Sequence, residues 1–268
     1  MCELFALSSR VPTTVSFSLQ RFAQRGGLQG KTLDGWGLAY YDGRDLRLYR
    51  EPEPARDSVW LPFIGSRQAP STLVVSHIRH ATRGGISLAN TQPFVREIGG
   101  RMHCFAHNGK LSGIDGLPEF DGGAYTPVGE TDSELAACAL FARMAGLWRG
   151  AEQPALKLRL ATVERFAAEL RQLGPANFLY ADGEILIAHG HRRTQSDGRI
   201  EPPGLWMLQR SCDVDPGALA EAGVRVSDGH GAQRAVLFAS VPLTDEPWRA
   251  LAEGEAVCVA GGEALNTH

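Results

Sequence analysis

The chain opens MCELFALSSR, so a cysteine stands directly behind the initiator methionine. Once Met1 is removed, a step that the small Cys2 side chain permits, this residue carries both a thiol and a free α-amino group. An α-amino group has a reference pKa of about 7.7–8.0 and can accept a thiol proton near neutral pH. One residue then supplies a nucleophile and its base. Three further spots could serve the same chemistry. Arg79, in SHIRHATRG, stands at the end of an apolar strand and could grip a carboxylate in bidentate fashion, although a lone arginine there reads equally as a surface residue. Asn108-Gly109 is a strong hairpin signal, with a type I′ turn as its default. The pair could also present a side-chain amide and a backbone N–H to an oxyanion, at about 3 kcal/mol per donor. Asp132 follows the cap of a predicted helix, where any carboxylate gains from the dipole, and could also hold an ammonium group.

The histidines raise a metal reading, with His77 and His80 three apart and His103, Cys104 and His107 downstream. On strands, however, His77 and His80 point to opposite faces, as do Cys104 and His107, so no metal site and no cofactor are expected. Each candidate has a plain structural explanation. In combination, a thiol, an oxyanion hole, a carboxylate grip and an ammonium grip are what hydrolysis of an α-amino acid's side-chain amide requires. Glutamine has that shape.

The elements that must position these residues are legible in part. GWGLAYYDGRDLRLYR reads as a hairpin turning at Asp42-Gly43, STLVVSHIRHA as a strand, and RMHCFAHNGKL as a hairpin around Asn108-Gly109. TDSELAACALFARMAGLW predicts a helix with a Thr131/Glu134 capping box, and LKLRLATVERFAAELRQLG a second helix closed by Gly174-Pro175. ANFLYADGEILIAHG is a hairpin around Asp182-Gly183, followed by strands in GLWMLQR, AVLFASVPL and EAVCVAGG. Strands, a helical centre and strands again give an α+β class with largely antiparallel sheets, in a single domain over residues 1–268.

Composition narrows the rest. With 27 Lys and Arg against 30 Asp and Glu, the net charge of −3 leaves no basic footprint for nucleic acid or an anionic membrane. The longest apolar stretch is interrupted by Arg143, and the run Leu4 to Leu7 is too short for a signal sequence. Five scattered cysteines point to reduced thiols and a cytoplasmic location.

Read together, Met1-Cys2, QRGG (24–27), DGWG (34–37), SHIRHATRG (76–84), FAHNG (105–109), GETDSE (129–134) and VPLTDEPW (241–248) resemble the class II glutamine amidotransferases, among the N-terminal nucleophile hydrolases. The likeness covers nearly the whole chain and is greatest to stand-alone bacterial members. It implies a four-layer αββα sandwich, with Cys2 as nucleophile and Asn108 and Gly109 as oxyanion donors. It also implies Arg79 for the α-carboxylate, Asp132 for the α-ammonium and Thr82 beside the substrate. Arg25 and Asp34 would support the N-terminal residue, and Trp36 and His80 lie within the matching motifs as further supports. NTQPF (90–94) departs from the pattern, with Gln92 where many members carry histidine, a change expected at the pocket rim.

The expected reaction is attack by Cys2 on glutamine or a γ-glutamyl compound through a γ-glutamyl thioester. A separate synthase subunit could take the ammonia, or the cleavage could be an end in itself. Penicillin- and bile-acid-type acylases also use an N-terminal cysteine, but their substrates lack the amino-acid head that Arg79 and Asp132 suit. A non-catalytic glutamine-binding or regulatory module is the alternative from another class.

Overall fold

The computed structural model describes residues 2–15, 34–67, 70–149, 153–212, 224–226 and 233–265. In chain order its strands and helices are β1 (Glu3–Val15), β2 (Trp36–Asp42), β3 (Asp45–Glu51), α1 (Trp60–Arg67), β4 (Ser71–Ile78), β5 (Phe94–Ile98) and β6 (Arg101–Gly109). Two helices follow, α2 (Asp132–Leu147) and α3 (Leu156–Leu170), then β7 (Ala176–Ala181), β8 (Leu186–His189), β9 (Arg193–Thr194) and β10 (Ile200–Glu201). The last are β11 (Trp206–Cys212), β12 (Val224–Val226), β13 (Gln233–Ala239), β14 (Arg249–Ala250), β15 (Ala256–Ala260) and β16 (Glu263–Ala264).

Two antiparallel sheets dominate among the described residues. One has eight strands in the order β14-β11-β13-β1-β4-β2-β3, with β12 also on β1; the other has six in the order β16-β15-β8-β7-β6-β5. Strand alternation builds the layers. Leu4, Ala6, Ala39 and Val75 face Cys104, Ala106, Leu179 and Ala188 across the space between the sheets. The alanines keep this layer thin enough for face-to-face packing. The opposite faces carry bulk. Phe105, Phe178 and Tyr180 pack under α2 and α3, where Phe141, Phe166 and Leu170 meet them. Phe5, Leu7, Leu38 and Val74 pack under Ile64 of α1. Each fully buried phenylalanine here contributes about 1.5–3 kcal/mol. The result is α+β, two sheets between helices. No helix of the described residues is long and apolar enough to cross a membrane.

The β2–β3 and β7–β8 hairpins turn where expected, at 42–45 and at Asp182, whose Oδ1 accepts the N–H groups of Glu184 and Ile185 at 3.1 Å. Helix α2 starts at the expected cap: Thr131 accepts the N–H of Glu134 at 3.2 Å. Glu134 does not complete a capping box; its carboxylate takes the N–H groups of Val128 and Gly129 and pairs with Arg96. The hairpin expected around Asn108-Gly109 is not formed. These residues are the last two of β6, paired to Asn177 and Ala176 of β7, and the chain's real turn lies upstream between β5 and β6. Long-range pairing overrides the local turn preference here. β1, β5 and α1 carry no sequence signal strong enough to announce them.

Candidate active site

Cys2 is half-buried at the entry to β1, whose pairing of Glu3 with Ile78 brings it beside the end of β4. The backbone N–H of His80 donates to Cys2 Sγ at 3.2 Å, and the thiol in turn reaches His80 O at 3.4 Å. Burial pushes the thiol pKa up, and the His80 backbone hydrogen bond pulls against it. The sulfur therefore rests protonated at neutral pH and needs a base to react.

The segment that holds this thiol is itself locked. Asp34 N–H donates to Arg79 O at 2.9 Å, Arg79 N–H donates to Gly35 O at 2.8 Å, and Asp34 Oδ2 accepts the N–H of Ala81 at 2.7 Å. His80 Nδ1 lies 3.7 Å from the same carboxylate oxygen. Trp36 is wholly buried, its indole N–H on Glu51 Oε2 at 2.9 Å. DGWG and SHIRHATRG thus form one unit behind Cys2. Arg79 is buried in it, and its guanidinium donates to Asp34 O at 3.4 Å and to Arg83 O and Gly84 O at 3.1 Å.

Asn108 approaches from the other sheet. Its Nδ2 donates to Cys2 O at 2.6 Å, and its own carbonyl accepts from Asn177 Nδ2 at 3.1 Å. An amide nitrogen has two hydrogens, so one remains for a second acceptor. Gly109 has no room for a side chain: a Cβ there would fall 1.8 Å from Pro175 O. Asp132, the first residue of α2, is buried, with Oδ2 on the N–H of Leu111 at 2.7 Å and Oδ1 on the N–H of Ser133 at 2.9 Å.

Two further residues, His107 and Gln92, tie β6 to its surroundings. His107 Nδ1 lies 2.8 Å from Ser133 Oγ, tying β6 to the start of α2. Gln92, expected at the pocket rim, is instead buried, its Oε1 accepting the His107 N–H at 2.7 Å and its Nε2 donating to His107 O at 3.1 Å. A side-chain amide so placed copies the donor and acceptor of a neighbouring strand.

A cavity of about 360 Å³ is lined by Cys2, His80, Thr82, Asn108 and Gly109. Arg79 and Asp132 do not line it. Arg79 lies just behind His80, and Asp132 bonds the backbone between two lining residues, Lys110 and Ser112. Arg25 lies outside the described residues. The cavity's remaining wall comes from the 173–175 turn and the β9–β10 hairpin, which the sequence reading missed although Asp197-Gly198 marks its turn.

The family model of glutamine amidotransferases class-II matches residues 1–268. YafJ of Escherichia coli (strain K12) is 34% identical over 261 residues, 95% of this chain and 96% of that protein. The crystal structure of a predicted glutamine amidotransferase from Pseudomonas aeruginosa PA01 superposes with a TM-score of 0.68 at 30% identity, over 99% of this chain and 100% of that one. The glutamine phosphoribosylpyrophosphate amidotransferase of B. subtilis shares the fold, with a TM-score of 0.60 at 15% identity over 98% of this chain and 48% of the other. The motifs, the two facing sheets and a half-buried cysteine at a shared cavity are thereby accounted for together, and the chain belongs to the class II glutamine amidotransferases.

Proposed function

We propose that the chain, as one domain with Met1 removed, hydrolyses the side-chain amide of glutamine or of a γ-glutamyl compound through a thioester on Cys2. One observation carries this reading: Cys2, Asn108 and Gly109 line one cavity, with Asn108 and Cys2 joined across the two sheets by a hydrogen bond. A freed α-amino group takes the thiol proton as sulfur attacks the amide carbon. The second Asn108 hydrogen and the Gly109 N–H receive the charge that develops on oxygen. The amine leaves with the proton, and water then releases glutamate.

Arg79 and Asp132 are proposed to hold the α-carboxylate and α-ammonium, with Thr82 on the cavity lining beside the substrate. Three of Arg79's five donors are spent on Asp34, Arg83 and Gly84 oxygens. Substrate would compete with the Arg83 and Gly84 carbonyls, so binding shifts the 82–85 segment. Thr82 is exposed, whereas Arg83 is held by Asp115 at 2.6 and 2.8 Å, so the shift must carry or break that pair. Asp34, Trp36 and His80 act as positioning residues through the hydrogen bonds already described.

The test combines intact mass, a diazo-ketone glutamine analogue and ammonia release. Protein lacking Met1 should gain one adduct at Cys2 and release ammonia from glutamine, and Cys2→Ala should do neither. Active protein that still carried Met1 would refute the mechanism. Tight glutamine binding without an adduct would favour a regulatory module.

A further inference from the structure

Beyond Cys2, Asn108 and Gly109, the cavity lining carries basic residues. Lys110, Arg192 and Arg193 line it with no acidic residue among the lining set, in a chain whose net charge is −3. Two of these cations are committed elsewhere. Arg193 is buried on Glu3 at 2.8 Å and donates to Ser240 O, and Arg192 pairs with Glu253 at 2.6 Å. Lys110 is exposed, and no carboxylate among the described residues holds it in an ion pair.

Its backbone is firmly mounted. Lys110 follows directly on Gly109, and a Cβ at Gly174 would fall 2.2 Å from Lys110 O, so two chain segments close on each other through glycines. Around it the wall offers hydroxyls from Ser112 and Thr194 and apolar surface from Leu173 and Ile200. Ammonia as the leaving group would use none of this. An amine bearing a carbon chain and a carboxylate would use all of it.

Resting on the thioester reading above, we propose that the preferred substrate is a γ-glutamyl amino acid or short γ-glutamyl peptide, whose leaving-group carboxylate is held by Lys110. The carbon–sulfur bond forms as the carbon–nitrogen bond breaks, and the amine departs with the proton given up by the thiol. Water splits the thioester, so amide and water become glutamate and the free amino acid or peptide.

The experiment compares kcat/KM for γ-glutamylglycine, γ-glutamylethylamide and glutamine on protein lacking Met1. The first two differ chiefly in the carboxylate. Wild type should favour γ-glutamylglycine over the ethylamide by about tenfold, the effect of one charge-assisted contact. Lys110→Ala should bring that ratio close to one, and Lys110→Glu should invert it and raise turnover of γ-glutamyl-(2-aminoethyl)amide. The exposed side chain makes both variants safe for folding. Equal use of the two amides by wild type would overturn this inference while glutamine hydrolysis upheld the thioester mechanism. A preference that survives both Lys110 substitutions would also overturn it. No turnover of any of the three would end both readings.

Discussion

Gly109→Ala tests the geometry most directly. The added Cβ would sit 1.8 Å from Pro175 O and 2.7 Å from Pro175 C, and both obstacles are backbone. Real Cβ contacts essentially stop at 3.0 Å, so β6 and the 173–175 turn must part by about 1.2 Å. Overpacking of this kind costs about 1–3 kcal/mol. At roughly 2–4 °C per kcal/mol for a chain of this size, the melting temperature should fall by about 2–12 °C. Activity should suffer more. A displacement near 1 Å in a catalytic array costs on the order of 100-fold, and this one moves Asn108 and the Gly109 N–H together. The assays are differential scanning fluorimetry and amide hydrolysis at saturating substrate. A lower melting temperature with wild-type kcat would refute the oxyanion role of this strand end. An unchanged melting temperature would refute the packing argument.

Further outcomes follow from the same structure. Asn108→Ala should lower kcat by about 10²–10³-fold with a smaller effect on KM, as expected for a donor that acts on the transition state; comparable losses in both constants would point to binding. Arg159→Ala leaves Asp182 buried without the guanidinium now 2.8 Å away, and chemical denaturation should show a loss of about 3–5 kcal/mol. Burial lowers His77 to about 3 and His103 and His189 to about 4. Between pH 6.5 and those values the unfolded chain binds protons that the folded chain refuses, so stability should fall steeply as pH drops through that window. Glu3 works in the opposite direction. Burial raises it to about 7 in spite of Arg193, and its folded form keeps a proton that the unfolded chain has lost. Glu3→Gln should therefore gain melting temperature relative to wild type as pH rises from 4.5 to 7, and a constant offset would refute the assignment.

What the sequence made legible were features with strong local chemistry. The Thr131 cap, the Asp42-Gly43 and Asp182-Gly183 turns and the apolar run of β4 all formed as read. The reading failed where distant pairing decides. Asn108-Gly109 has the strongest turn preference in the chain, yet pairing to Asn177 and Ala176 of β7, with the Pro175 carbonyl packed close against Gly109, holds it straight. β1 was hidden because burial on both faces leaves no polar alternation, and its register comes from β4 and β13. The site followed the same pattern. Cys2, Asn108, Gly109, Thr82 and His80 meet at the cavity, while Arg79 and Asp132 stand just behind its lining. Gln92 serves a backbone that lies far from it in sequence, and Lys110 owes its setting to Gly174; spacing along the chain reveals neither.

The placement of β1 also sets a schedule. It lies between β4 and β13, so along Phe5–Ser9 one of its edges has no partner until residues 235–239 have been synthesised. At about 5–20 residues per second, translation takes roughly 10–50 s to deliver that partner. The Met1 removal proposed above would fit within this interval, before the sheet closes beside Cys2.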